Sequence, residues 1–389
     1  MLQPSRILNE KFWSPWWHPI SSAIKNKLPR FTRIDFVTAI QFFVIGFICC
    51  VLGCRSNPER LSIKLGKLEK IRQIALLEKK DHPIGKIFDA AISADSIIHV
   101  LDLASADVKL FKLNGEFIRK ICGRGDGKNN LSLPRTLEVT RDYILVADMG
   151  LNCTKWFDRE GKLIREFEVK GFRPVIGNTK LISENKILHA ALWDGRSDLT
   201  TPVRLIDSTG KILQKLGKFP KEYRNYVLMG NVQTDFDLAT DTYIITFNQS
   251  PAIFIGKLSN GKGKLYPFDE ERAKYISSNR SKNSQPSEAE LNKLALEEAL
   301  SDRVLFITDS MFIRSYFLCT EESLRKRSLV LPKHFLQAYS IAGEYLGEVP
   351  LPGRLHGKFG NHLLLEESDE PENHVLGLYQ LNFERISRH

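Results

Sequence analysis

The sequence predicts an all-β fold, a six-bladed β-propeller of four-stranded antiparallel blades, and three observations predict it. One strand-and-turn pattern is written twice between Ile97 and Phe167, its turn glycine recurs down the chain, and each end holds part of a further blade. In the first copy Ile98-His99-Val100-Leu101-Asp102 precedes Val108-Lys109-Leu110-Phe111 and Asn114-Gly115-Glu116-Phe117. In the second, Ile144-Leu145-Val146-Ala147-Asp148 precedes Thr154-Lys155-Trp156-Phe157 and Glu160-Gly161-Lys162-Leu163. Asp102 and Asp148, Phe111 and Phe157, and Gly115 and Gly161 all stand 46 residues apart. A period of about 40–50 residues built from short strands and Gly/Asn turns belongs to a propeller blade rather than a helical solenoid.

In chain order, the first element is a leader. Residues 36–52 carry no charge, are interrupted by polar side chains only at Thr38 and Gln41, and follow a basic flank from Lys25 to Arg33. This is the order of an export signal, near the lower length limit for a bilayer span. Val51-Leu52-Gly53-Cys54 follows, then polar Arg55-Ser56-Asn57-Pro58. It resembles the bacterial lipobox, in which a small residue precedes a cysteine that is acylated on sulfur and becomes the mature N-terminus. The resemblance implies lipidation at Cys54, a signal peptide over 1–53 and a membrane partner reached through the lipid; an uncleaved signal anchor is the other arrangement this order allows. Either way the chain beyond it is exported. Residues 54–70 read as a tether and Ile71–Leu77 as a first strand within a propeller domain over 71–389.

The blades are then counted by their outer hairpins, at Gly115, Gly161, Gly210 and Gly343, with a degenerate copy at Gly263. Each glycine is expected to supply the positive φ of a tight turn between antiparallel strands. His362–Leu365 and Val375–Leu381 provide strands but leave no room for an outer one, while Ile71–Leu77 is one strand too many. Pairing the two ends closes a sixth blade and removes the exposed sheet edges. Two stretches exceed the period. One is the aromatic and charged loop Phe219–Tyr226. The other is an insertion over 269–302, where Ser287 and Glu290 in capping-box spacing and Leu291, Leu294, Ala295 and Ala299 on one face predict a short helix. Such a helix either packs on the propeller wall or covers one end of the channel.

The net charge of +10 is a weak footprint. Six basic against two acidic residues in 1–53 account for four of these charges, and no basic run exceeds Arg325-Lys326-Arg327, so nucleic acid is not the expected partner. Cys122, Cys153 and Cys319 are widely spaced and lack metal-ligand or disulfide spacing, which predicts small buried apolar roles. Gly123–Asn129 lacks the spacing of a phosphate loop and reads as an interblade connection. No nucleophile elbow or zinc-protease helix occurs.

One constellation could carry chemistry. The second strand of each blade is expected to end in a carboxylate or amide: Asp102, Asp148, Asp194, Asn248 and Asp309, with Glu366 or Glu367 in the last blade. Such a ring could bind a cation, calcium being the candidate cofactor, as in six-bladed calcium-dependent lactonases. The alternative is that each Asp closes a turn by accepting backbone amides, a structural need that repeats with the blades. His189, Trp193, Tyr223 and Tyr226 break the repeat and are the candidate partner surface.

With Leu133-Pro134 before Thr136–Val139 and the Val-x-Asp strand endings, residues 85–217 look like NHL-type repeats. The chain from Ile71 to Phe383 resembles the six-bladed, TolB-like propeller lipoproteins of Gram-negative bacteria, many from the Bacteroidota. The resemblance implies an envelope-anchored binding or scaffolding domain and carries over no catalytic residues; the expected form is a lipid-anchored monomer with a protein or glycan partner. A metal-dependent hydrolase or lyase using the polar ring is the competing expectation.

Overall fold

A computed structural model describes residues 61–387, apart from 126, 169–173, 192–200, 221–231, 249, 268–292, 294–295, 297–298 and 371–372. The described chain opens with β1 (Leu61–Ala75) and then builds blades in sequence. Blade 1 holds β2 (Ile87–Ile92), β3 (Ile97–Asp102), β4 (Asp107–Lys112) and β5 (Phe117–Ile121). Blade 2 holds β6 (Pro134–Val139), β7 (Tyr143–Asp148), β8 (Cys153–Asp158) and β9 (Leu163–Phe167). Blade 3 holds β10 (Pro174–Ser183), β11 (Lys186–Ala191), β12 (Val203–Ile206) and β13 (Ile212–Leu216). Blade 4 holds β14 (Val232–Asp237), β15 (Thr242–Phe247), β16 (Ser250–Lys257) and β17 (Gly263–Tyr266). Blade 5 holds β18 (Ala299–Phe306), β19 (Met311–Leu318), β20 (Lys333–Ser340) and β21 (Tyr345–Leu351). A short helix α1 (Glu321–Lys326), capped by Thr320, lies between β19 and β20. Blade 6 joins β22 (Arg354–Phe359), β23 (His362–Glu370) and β24 (Asn373–Ser387) to β1 as its outer strand. The first strands touch in the cyclic order β2, β6, β10, β14, β18, β22 and back to β2, so the six sheets form a closed ring.

The core sits between the blades, which explains the sequence pattern. Strands covered on both faces by neighbouring sheets need apolar side chains at nearly every position, and β3 is buried from Ile98 to Asp102. One apolar cluster, with Leu101, Val108, Ile121, Leu137, Ile144 and Phe157, fills the junction of blades 1 and 2. Another, with Ile74, Ile87, Val100, Phe111, Leu364 and Leu376, fills the junction of blades 6 and 1. Phe111 and Phe157, one period apart, are fully buried, each contributing on the order of 2–3 kcal/mol of transfer free energy.

The turn glycines behave as expected at Gly115, Gly161, Gly210 and Gly343, whose φ values are 86°, 89°, 85° and 84°. In blade 4 the expectation is off by two residues. Gly261 takes the positive φ, and Gly263 is the first residue of β17. Two further boundaries are corrected. The stretch expected to be a tether is strand from Leu61 onward. Bulges between Leu65 and Leu68 and between Lys70 and Arg72 shift the register, so no unbroken alternation marks it in the sequence. The insertion ends before Ala299, which begins β18 rather than lying on a helical face; Ser287, Glu290, Leu291, Leu294 and Ala295 lie outside the described residues. No disulfide links the three described cysteines: Cys153 is buried, and Cys122 and Cys319 are half-buried. Burial pushes the Cys122 and Cys153 thiols up to about 12, which keeps both protonated and chemically quiet.

Candidate functional site

Strand direction sorts the connections onto two ends of the propeller. At one end lie the short turns between first and second strands and between third and fourth, such as those joining β2 to β3, β10 to β11 and β22 to β23. At the other end, where each first strand starts and each second strand stops, lie the long connections 122–133 (save 126) and 319–332; of 192–202, 217–231 and 267–298 most residues lie outside the described ones, while the strands that flank them end and begin here. Long connections on a rigid scaffold are where binding surfaces are built. This end is called the mouth below.

Asp102 and Asp148 stand at the mouth, and both are saturated. Asp102 accepts from the amides of Gly85 (2.9 Å), Lys86 (3.0 Å) and Ala104 (2.9 Å), and from Lys109 Nζ (2.7 Å). Asp148 accepts from the amides of Ser132 (2.7 Å), Leu133 (3.0 Å), Gly150 (2.9 Å) and Leu151 (3.1 Å). In each blade the carboxylate ties the lead-in of the first strand to the turn that follows the second. Burial alone would raise the Asp102 carboxyl, but Lys109 and the Gly85 and Lys86 amides hold it below the usual carboxylate range. These two are turn-closing residues.

Of the rest of the expected ring, one member stands elsewhere and one lies outside the described residues. Asp309 belongs to the opposite end, because Leu305-Phe306 closes β18, a first strand, and Asp309 sits in the turn to β19. Its resemblance to the Val-x-Asp endings comes from a similar apolar run on a strand of opposite direction. Asn248 does lie at the mouth, where its carbonyl accepts from Ser301 N (3.2 Å). Asp194, with Trp193, Tyr223 and Tyr226, lies outside the described residues. Glu366 is buried against His356 Nε2 (2.8 Å), and Glu367 accepts from Lys70 (2.7 Å) and from the Tyr379 hydroxyl. His189 is no surface residue: it is buried inside blade 3 against Thr179 Oγ1 (3.0 Å), and burial, with help from Arg204, lowers it to about 3. Among the described residues no group of three or more His, Cys, Asp or Glu could hold a metal ion.

Sequence reading missed the charges on the first strands, which line the central channel. Asp89 on β2 binds Arg303 on β18, accepts from Leu137 N on β6 (3.0 Å) and lies 3.6 Å from His356 Nδ1 on β22, so one carboxylate of blade 1 touches three other blades. Burial alone would raise it, yet Arg303, His356 and the Leu137 amide together hold it below the usual range. Across the channel Lys180 on β10 pairs with Glu138 on β6 (3.1 Å). Burial raises the Glu138 carboxyl, Lys180 opposing and Asp235 and Asp89 adding to the rise. Asp235 on β14 accepts from Phe306 N (2.8 Å). A signal was present in β2, where Asp89 is the single polar residue of an otherwise apolar strand; Glu138 shares β6 with Arg135 and Thr136, and Asp235 shares β14 with Gln233, Thr234 and Asp237.

Nearer the mouth, Arg354 on β22 forks onto Asp302 (3.2 and 3.4 Å) and donates to Phe88 O (2.9 Å). Its guanidinium also lies over the Phe88 ring, 5.6 Å from the centroid, and that of Arg135 on β6 lies over the same ring at 4.9 Å. His334 on β20 interacts with both Asp302 and Arg354; burial lowers it to about 4, so it is neutral at pH 7. The arrangement can present guanidinium donors to a ligand. Among the described residues it holds no nucleophile paired with a base.

No family model matches the chain, and no curated protein matches it. Solved structures do. A member of the DUF4221 family from Bacteroides vulgatus is 13% identical with a TM-score of 0.58, the match covering 84% of this chain and 99% of that one. A protein named as exported from Bacteroides fragilis is 12% identical with a TM-score of 0.51, covering 82% and 95%. A virginiamycin B lyase from Staphylococcus aureus is 14% identical with a TM-score of 0.44, covering 79% and 83%. Likeness at these identities is likeness of fold.

Proposed function

We propose that this protein is an exported, lipid-anchored binding module that presents the mouth of its propeller to a protein or glycan of the bacterial cell envelope. The observation that carries the reading is directional. Leu61 pairs with Ser387 at the short-turn end, and β1 then runs toward the mouth. A lipid on Cys54, seven residues upstream, would hang the molecule by its short-turn end within about 25 Å of chain and leave the long connections facing away from the membrane. Two or three acyl chains, at about 0.8 kcal/mol per buried CH₂, suffice for stable anchoring. Among the described residues no helix is long and apolar enough to cross a membrane; residues 36–52 lie outside them.

Cys54→Ala is expected to abolish acyl labelling and release the full chain from the membrane fraction; unchanged fractionation would favour an uncleaved signal anchor. The saturation of Asp102 and Asp148 weighs against the hydrolase or lyase expectation. Neither calcium nor zinc should raise the melting temperature of the full chain, and a rise that saturates with metal would restore the enzymatic reading.

A further inference from the structure

The geometry points to a carboxylate-binding seat at Arg135, on the mouth of the propeller; it rests on the binding-module reading and specifies the chemistry of the ligand. Arginine carries five N–H donors in a planar fork, and at a half-buried position these normally find acceptors. Among the described residues Arg135 has no hydrogen-bond or ion-pair partner, and its Nε is buried without an acceptor. Asp148 is the carboxylate that acts on it electrostatically. Both Asp148 oxygens are already taken by the amides of Ser132, Leu133, Gly150 and Leu151.

The surroundings hold Arg135 ready. Its guanidinium rests over Phe88, a ring already shared with Arg354, and two cations over one aromatic ring repel each other. Arg354 is neutralised by Asp302; Arg135 has no such partner. His334, almost fully buried beside that pair, also keeps an Nε2 without a partner. An anion placed on Arg135 would satisfy its donors and relieve the repulsion. A planar carboxylate suits the fork best, because two parallel N–H···O bonds form at once.

Citrate is a suitable probe for the detergent-solubilised full chain, with chloride and sulfate at matched ionic strength as controls. Calorimetry should show one saturable citrate site, weakened at least tenfold by Arg135→Gln and only partly restored by Arg135→Lys, which lacks the fork. Equal affinity in wild type and Arg135→Gln, or no saturable citrate binding to wild type, would overturn the seat. Should the variant fail to fold, phenylglyoxal modification of the wild type decides: citrate must protect Arg135 from labelling, and labelling that citrate leaves unchanged rejects the proposal. A failure here alongside cross-links to partners from the mouth would remove the carboxylate chemistry and leave the binding module standing.

Discussion

At the scale of single residues, the polar side chains of this propeller divide into those that hold the fold and those with capacity to spare. Asp102 is of the first kind. With Lys109 fully buried against it and Asp107, Asp102→Ala removes an acceptor for three amides and weakens the neutralisation of a buried ammonium. A loss of about 3–5 kcal/mol is expected in urea unfolding, with no change in metal content. The buried histidines set the acid behaviour. Burial lowers His99 and His334 to about 4 and His189 to about 3, against about 6.5 in the unfolded chain. The folded state therefore binds fewer protons than the unfolded state between those values. Stability is fully present above about pH 6.5 and is lost as pH falls toward 4, with roughly three protons taken up on unfolding near pH 5. Unfolding titrations at a series of pH values measure that slope, and a flat profile between pH 7 and 5 would show that these rings are not held neutral.

At the scale of elements, turn chemistry explains why some blades were legible in the sequence and others were not. Blades 1 and 2 could be read because Gly115 and Gly161 occupy matching left-handed turns and Phe111 and Phe157 matching core sites. The closing blade could be inferred because each chain end held a fraction of one. Blade 5 was phased wrongly at Asp309, since an apolar run before an Asp looks the same on a first strand and on a second. The start of β1 was hidden by two bulges, and the channel charges by their differing residue types from one first strand to the next, which form no repeated motif. The turn glycines are not equivalent in cost. A Cβ on Gly115 would lie 1.8 Å from the Ala75 carbonyl oxygen, at the strand that closes the ring, whereas one on Gly161 would meet the movable Ile121 side chain at 2.5 Å. Gly115→Ala is expected to destabilise by about 2–5 kcal/mol and Gly161→Ala by about 1–2 kcal/mol. Equal losses in chemical denaturation would mean that the closure has slack.

At the scale of the whole molecule, the ring is closed by β1 against β24, and that closure orients everything else. It sets the start of the described chain at the short-turn end and the mouth at the opposite one, the two ends to which the proposal assigns anchoring and binding. The central channel is lined by Asp89, Arg303 and His356 on one side and by Glu138 and Lys180 on the other, charges that tie blades to one another. The most direct measurement is photo-cross-linking of the full-length protein in intact cells. A photoreactive residue would replace Ala104 or Asn129 at the mouth, or Asp142 or Asn185 at the short-turn end, all four exposed. Discrete cross-linked partners from the two mouth positions and none from the other two are the predicted result; partners captured from Asp142 and Asn185 with none from the mouth would contradict it.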